Sequence, residues 1–309
     1  MSDFVAPSRP VVVTEPWAKQ IRRAASNYLA LTKPRVIELL LVTTLPAMIL
    51  AARGLPSLGL VAAVLVGGAL SAGGANTINC WVERDRDQLM RRTRHRPLPM
   101  GTVAPRRALV FGLMLEVLAV ALLWSVANLL AAALALAAAV FYVFVYTIWL
   151  KPRTVQNIVI GGAAGAVPAL VGWAAVTGGL GVGPWILFAI VFTWTPAHFW
   201  ALALRYREDY AAADIPMLPV VKGPAGAATQ ILAYAVAVVA VSFLLPLATT
   251  VGAIYLGVAA AAGLAFVVQA IRLRRDPSNQ RAIAFFGLSN TYLALLFAAV
   301  AVDVLVHAH

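Results

Sequence analysis

Asn79, Glu83 and Asp87 stand at every fourth position of the stretch NCWVERDRD. On a helix such neighbours rotate by only about 40° each, so an amide oxygen and two carboxylates point one way over about 12 Å. Hard oxygen donors of this kind suit Mg2+, which completes its shell with water and phosphate oxygens. Asp85 falls on the other side of the same helix. Arg86 returns to the stripe, where it could pair with Glu83 or Asp87. Arg92 and Arg96 follow at once in RRTRHRPL. A guanidinium fork matches phosphate oxygens in two-point fashion. Acids for a metal, then arginines for phosphate, point to a diphosphate rather than a bare cation. Arg91, Arg94, Arg106 and Arg107 read more simply as interfacial anchors.

Three further places carry candidate chemistry. Lys151 and Arg153 in KPRT, with Tyr146 one turn inside, are either phosphate donors or anchors. A second loop, REDYAAADIPMLPVVKG, brings Glu208, Asp209 and Asp214. Asp209 and Asp214 are five residues apart and do not share a helical face, so this signal is weaker than the first. His198 follows Pro196 inside an apolar run. An ionisable residue there is either functional or bonded to a carbonyl that the proline frees. Glu116 also falls within an apolar run and has no assignable role.

The elements that must position these residues are membrane helices. The chain has 309 residues, 62% hydrophobic and 12% charged, against roughly 25% charged in soluble domains. Continuous apolar runs give an all-α polytopic membrane protein and exclude an alternating barrel. The expected spans are 36–53, 59–80, 108–125, 128–149, 156–176, 184–204, 227–247, 252–271 and 284–305, nine helices around a central cavity. Of the 24 Lys and Arg, all but Arg53 fall in the amino-terminal segment or in the connections after even-numbered spans. That bias puts the amino terminus and those loops in the cytoplasm. The net charge of +12 then reflects topology and anionic headgroups of the bilayer, and implies no nucleic acid. A single cysteine, Cys80, excludes an intramolecular disulfide and a thiolate metal cluster. Residues 1–30 form an amino-terminal cytoplasmic or interfacial segment. Residues 31–305 form one transmembrane domain, and loops 81–107 and 205–223 cap its site. Small residues in GGAAGAVPALVGWAA at 161–175 allow close helix packing or a groove for a chain.

These motifs together resemble the UbiA-type intramembrane prenyltransferases, whose first Asp-rich motif has the form N-x-x-x-D-x-x-x-D. Within that family, NCWVERDRDQLMRRTRHRPLPMG, WTPAHFWALAL and REDYAAADIPMLPVVKG are similar to the haem-farnesylating branch. The likeness runs over roughly residues 28 to 300. It implies transfer of a farnesyl group from farnesyl diphosphate to a vinyl group of haem b. Water adds, and haem O and diphosphate form. It implies Mg2+ as cofactor, haem b as substrate, and residence in a bacterial inner membrane with the active-site loops on the cytoplasmic face. A downstream haem-modifying membrane enzyme would be a partner. By the same resemblance Asn79, Glu83, Asp87 and Asp209 are metal ligands. Arg92, Arg96, Lys151 and Asp209 hold the diphosphate. His198 belongs to the haem side, as iron ligand or acid/base.

The chain departs from the family pattern at Glu83, where Asp is commoner, at Ala197, often proline, at Asp214, usually glycine, and at Arg86, usually apolar. Asp214 and Arg86 could pair between the loops. Two other readings are a UbiA-type enzyme with a phenolic or other tetrapyrrole acceptor, and a small multi-pass transporter. A transporter would concentrate polar groups near mid-membrane, whereas here they gather at one face.

Overall fold

Long apolar segments without backbone partners outside themselves must close their own hydrogen bonds, so each expected span folds as a helix. The computed structural model describes residues 16–307, without the side chains at 36 and 38–41. The helices are α1 (Trp17–Thr32), α2 (Pro34–Ala52), α3 (Leu58–Asp87), α4 (Pro105–Val126), α5 (Leu129–Leu150), α6 (Asn157–Thr177), α7 (Val182–Arg205), α8 (Arg207–Ala212), α9 (Leu218–Val221), α10 (Gly223–Ser242), α11 (Ala253–Arg275) and α12 (Asn279–His307). Of the amino-terminal segment expected at 1–30, residues 1–15 lie outside the described ones.

Eight helices among the described residues are long and apolar enough to cross a membrane. The chain is a multi-pass membrane protein. The count of nine expected from sequence is not reached by that measure. Its first span falls in α2, where the described apolar stretch, Val42–Ala52, is shorter than a crossing helix. Local chemistry sets several boundaries. Ser57 caps α3, its hydroxyl accepting from the Leu60 N–H at 3.4 Å. Asn128 caps α5 through the Ala131 N–H at 2.9 Å and also donates to the Ala174 carbonyl at 2.7 Å. Pro105 opens α4, where its missing N–H costs nothing.

Packing follows the chain. α3 lies on α4, α4 on α5, α5 on α6, α6 on α7 and α7 on α10, while α11 and α12 pack together and α12 returns to α7 and α2. The α3–α4 crossing is tight, since a Cβ at Gly74 would meet the Gly112 carbonyl at 2.8 Å. Without a hydrophobic drive between helices in lipid, such close backbone approach supplies the packing energy. In the second half Tyr255 and Tyr292 are buried and share Ser242. The Tyr255 hydroxyl donates to the Ser242 carbonyl at 2.7 Å, and the Tyr292 and Ser242 hydroxyls lie 2.9 Å apart. Asp303 of α12 caps α11 by accepting from the Gly252 and Tyr255 amides. These polar links hold α10, α11 and α12 to one another.

Candidate active site

α3 keeps its helical course for 30 residues and ends only at Asp87. Asn79, Glu83 and Asp87 therefore share one buried face, with relative exposures of 1%, 3% and 1%. Each rung of this stripe meets one cation from a different part of the chain. Lys33, between α1 and α2, donates to Asn79 Oδ1 at 2.5 Å. Lys151, just past α5, pairs with Glu83. Arg96, in the loop after α3, donates from Nη1 to Asp87 Oδ2 at 2.8 Å. The Asn79 amide is aimed by its other end, which donates to Thr147 Oγ1 at 2.9 Å. Thr93 Oγ1 donates to the Asp87 carbonyl at 2.9 Å, folding the loop so that Arg96 turns back over the stripe.

Lys151 owes its place to an irregular segment. From Phe141 to Leu150 the chain of α5 widens into π-helical turns, and the Lys151 N–H bonds the Tyr146 carbonyl five residues back at 2.8 Å. That register sets Tyr142, Tyr146 and Lys151 along one wall of the cavity. Gly161 of α6 makes room for it, because a Cβ there would overlap the Tyr146 ring. Asn157, fully buried, donates to the carbonyls of Thr154 at 2.7 Å and Lys151 at 3.5 Å, pinning the turn. Burial pulls the Lys151 ammonium down, but the Glu83 charge beside it wins and holds its pKa above the ordinary value. Arg96 behaves alike: burial opposes the charge, and Asp87 more than offsets it.

The second loop is built differently. α7 ends at Arg205, and Tyr206 separates it from the six-residue α8. Asp209 of α8 accepts from the backbone N–H of Arg92 at 3.1 Å. The Arg92 guanidinium lies 5.4 Å from the ring centre of Tyr206 and 5.9 Å from that of Tyr210. The loops are thus joined through Asp209 and two aromatic faces. Glu208 and Asp214 are exposed. Asp214 has φ 52, the left-handed region in which glycine is at ease and Asp is among the better-tolerated others. Its backbone accounts for the glycine that the family pattern favours here. Arg86 forms no ion pair among the described residues, so neither its expected pairing with the stripe nor that with Asp214 occurs.

These groups surround the mouth of a cavity of about 390 Å³. Lys33, Asn79, Glu83, Asp87, Arg92, Arg96, Lys151 and Tyr210 line its polar end. Deeper in, Gly68, Ala72, Ala135, Ala139, Gly165 and Val171 line an apolar end. Ser71 also lines it, with its hydroxyl turned away to Glu116 Oε2 at 3.1 Å, which gives the mid-span carboxyl of α4 a partner. His198 is not brought to this cavity. Its helix contributes Thr195, Phe199 and Leu202 to the lining, while His198 faces α12. There its ring stacks between Trp194 and Phe286, at 4.1 and 4.5 Å, and Nδ1 is 2.7 Å from Ser289 Oγ.

Hard oxygens and an open valence decide whether a divalent cation fits. Asp87 Oδ1 is buried and has no hydrogen-bond partner among the described residues, so one oxygen of the stripe is free to coordinate. No group of three or more His, Cys, Asp or Glu side chains able to hold a metal occurs among the described residues. Asp209 does not join Glu83 and Asp87 in such a set, because the short α8 turns it to the Arg92 peptide. Two carboxylates and an amide oxygen, with phosphate oxygens to complete the shell, match the way Mg2+ is ordinarily held. Sequence reasoning passed over Lys33, Thr147, Tyr142 and Tyr210. A lysine before proline at the head of a span looks like an anchor, and a threonine in an apolar helix like packing.

Comparison with known proteins bears on the same residues. The model of the UbiA prenyltransferase family matches residues 40–299. The chain is 54% identical over 292 residues to a protein from Cutibacterium acnes called protoheme IX farnesyltransferase, covering 93% of this chain and 87% of that one. It is 55% identical over 285 residues to protoheme IX farnesyltransferase 1 from Saccharopolyspora erythraea, covering 91% of each. The fold is that of a UbiA homologue from Archaeoglobus fulgidus solved with DMAPP and Mg2+, with a TM-score of 0.65, 20% identity, and 89% and 99% of the two chains covered.

Proposed function

The chain belongs to the UbiA prenyltransferase family, and we propose that it transfers the farnesyl group of farnesyl diphosphate to a vinyl group of haem b, with addition of water, giving haem O and diphosphate. The acceptor is inferred from relatives more than 50% identical over nearly the whole chain, named for farnesyl transfer to protoheme. One observation carries the site assignment. A stripe of two buried carboxylates and an amide, each matched by a cation, closes the polar end of an otherwise apolar cavity. A prenyl diphosphate has the same division, with a multiply ionised head and a hydrocarbon tail.

Asn79, Glu83 and Asp87 would hold Mg2+, which supplies neutralisation of phosphate charge when bound. Arg92, Arg96 and Lys151 bind the diphosphate oxygens. Their positive charge is fixed before the substrate arrives, so negative charge gathering on the leaving diphosphate is stabilised without reorganisation. Asp209 and the rings of Tyr206 and Tyr210 hold Arg92 over the mouth. The tail lies among the small side chains of α5 and α6, where no water competes for the allylic cation until the acceptor vinyl group attacks it. Water then adds to the cation formed on the haem side chain, and the proton it sheds leaves the hydroxyethyl group. His198 serves the acceptor. It would do so from outside the diphosphate cavity, its ring clamped between Trp194 and Phe286 and its Nδ1 bonded to Ser289. The domain is residues 31–305, in a bacterial inner membrane, with the two capping loops cytoplasmic.

Purified protein incubated with haem b, farnesyl diphosphate and Mg2+ should yield a later-eluting haem and one diphosphate per turnover. Diphosphate release that requires a phenolic acceptor in place of haem would overturn the acceptor assignment.

A further inference from the structure

Lys33 is the single residue between α1 and α2. Its backbone is left-handed, with φ 54 and ψ 63, and Pro34 follows it. Both features are unfavourable for lysine. A side chain with Cβ resists the left-handed region, and a residue before proline is pushed toward extended conformations. Strain of this kind persists where the surroundings over-determine it, and it is common at ligand sites. The surroundings are visible here. The carbonyl of Thr32 accepts from Asn76 Nδ2 at 3.1 Å, which ties the end of α1 to α3 one turn before the acidic stripe. The Lys33 ammonium then points into the cavity mouth and reaches Asn79.

Charge at that mouth is unbalanced. Among the described residues, Lys33, Arg92, Arg96 and Lys151 line the cavity, the lining carboxylates are Glu83 and Asp87, and Asp209 stands at the Arg92 peptide. Lys151 has Glu83 and Arg96 has Asp87. Lys33 has a neutral amide oxygen, and no carboxylate pairs with it among the described residues. An ammonium whose near partner is uncharged gains most from an arriving anion.

We propose that Lys33 is a further diphosphate-binding residue, delivered by the strained turn between the interfacial helix and the first span. The inference rests on the diphosphate reading of the cavity given above. Lys33 donates to a phosphate oxygen of the substrate and stays on it as the diphosphate leaves. Its partner is the head group, so the acceptor and the prenyl chain do not enter its role.

Glycine separates this role from that of a mere hinge. Lys33→Gly relieves the left-handed turn and deletes the cation, while Lys33→Arg keeps the charge and the strain. The probe is inorganic pyrophosphate with Mg2+, titrated calorimetrically into the detergent-solubilised full chain, with thermal melting measured in parallel. The expected result is a loss of about tenfold to a hundredfold in pyrophosphate affinity for Lys33→Gly, no loss of melting temperature, and recovery of most affinity in Lys33→Arg. The KM for farnesyl diphosphate should rise with it, and that for haem b should not. Wild-type affinity in Lys33→Gly would overturn the proposal. So would a joint fall in affinity and melting temperature that Lys33→Arg fails to restore, since that is the signature of a structural turn. Failure of the unaltered protein to bind pyrophosphate would instead overturn the diphosphate reading of the whole cavity.

Discussion

The two charged loops look alike as strings of letters and are built on opposite plans. The first begins as an unbroken extension of α3, so Glu83 and Asp87 are buried, stacked and individually paired with cations, while Asp85 on the other side is exposed. The second begins with a break at Tyr206, runs through two short helices, and leaves Glu208 and Asp214 exposed. Its one engaged acid, Asp209, holds a peptide N–H of the first loop. A rigid helix can fix several ligands to one another. A broken segment can only lean on what the helix has fixed. On the proposed function, the first loop would be the chemical half of the mouth and the second its cover.

The largest effects should separate the two. Asp87→Asn and Glu83→Gln each remove a charge from the stripe with little change of shape. Either should lower farnesyl-dependent diphosphate release by roughly 10²–10³-fold, the range seen when one preorganised electrostatic group is lost. Glu208→Gln in the exposed loop should stay within about twofold. Equal losses in both loops, measured under identical conditions, would erase the distinction. Next in size is the buried pair itself. Lys151→Met leaves the Glu83 carboxylate desolvated without its cation, at a cost of about 3–5 kcal/mol, read as a lowered melting temperature in detergent. Lys151→Met with Glu83→Met should recover stability and not activity. A double variant as unstable as the single would mean the pair is not the cause.

The comparison also explains what could be read from residues alone. α3 was legible to its end because Asn79, Glu83 and Asp87 obey a helical repeat, and a repeat predicts a face. The cations' partners were not, since Lys33 and Asn79 are 46 residues apart and Asn79 and Thr147 are 68, distances across which spacing carries no signal. Tyr146 and Lys151 were placed one turn apart, yet residues five apart diverge by about 140° on an α-helix. They align because α5 widens into π turns, and nothing in an apolar run marks such a widening. Asp209 looked like a ligand because carboxylates do. Its donor is a backbone N–H, which every residue but proline owns and no sequence distinguishes. His198 was legible as an oddity in a span, but which face of α7 it takes depends on Trp194, Phe286 and Ser289 around it.

Smaller effects test the cover. If Asp209 holds the Arg92 peptide, Asp209→Asn keeps an acceptor oxygen there and should retain activity within a few-fold. Asp209→Ala should lose about tenfold, the worth of a hydrogen bond to a charged group. Comparable losses in both, together with weaker Mn2+ binding followed by electron paramagnetic resonance, would make Asp209 a metal ligand. The cations of the stripe carry a pH signature too. Lys151 and Arg96 have pKa values raised above their ordinary ones by the carboxylates of Glu83 and Asp87. A base raised by folding contributes stability below its unfolded value and loses it only as pH climbs through the folded one, so these pairs should hold from about pH 6 to 9. A melting temperature that falls as pH climbs from about 6 to 9 would contradict the pairing.

The smallest effect concerns Asp214, whose φ of 52 nearly repeats that of Lys33 at 54. The two residues differ in what their strain delivers. Lys33 sends a cation into the mouth, whereas Asp214 is exposed and makes no ion pair among the described residues. Asp214→Gly should therefore release backbone strain with nothing to lose, raising stability by less than about 1 kcal/mol and leaving the KM for farnesyl diphosphate unchanged. Lys33→Gly, the same relief at the other turn, should weaken the substrate's head group. Were Asp214→Gly to cost activity as well, left-handed turns on both loops would be part of the site, and the second loop would have to be counted as more than a cover.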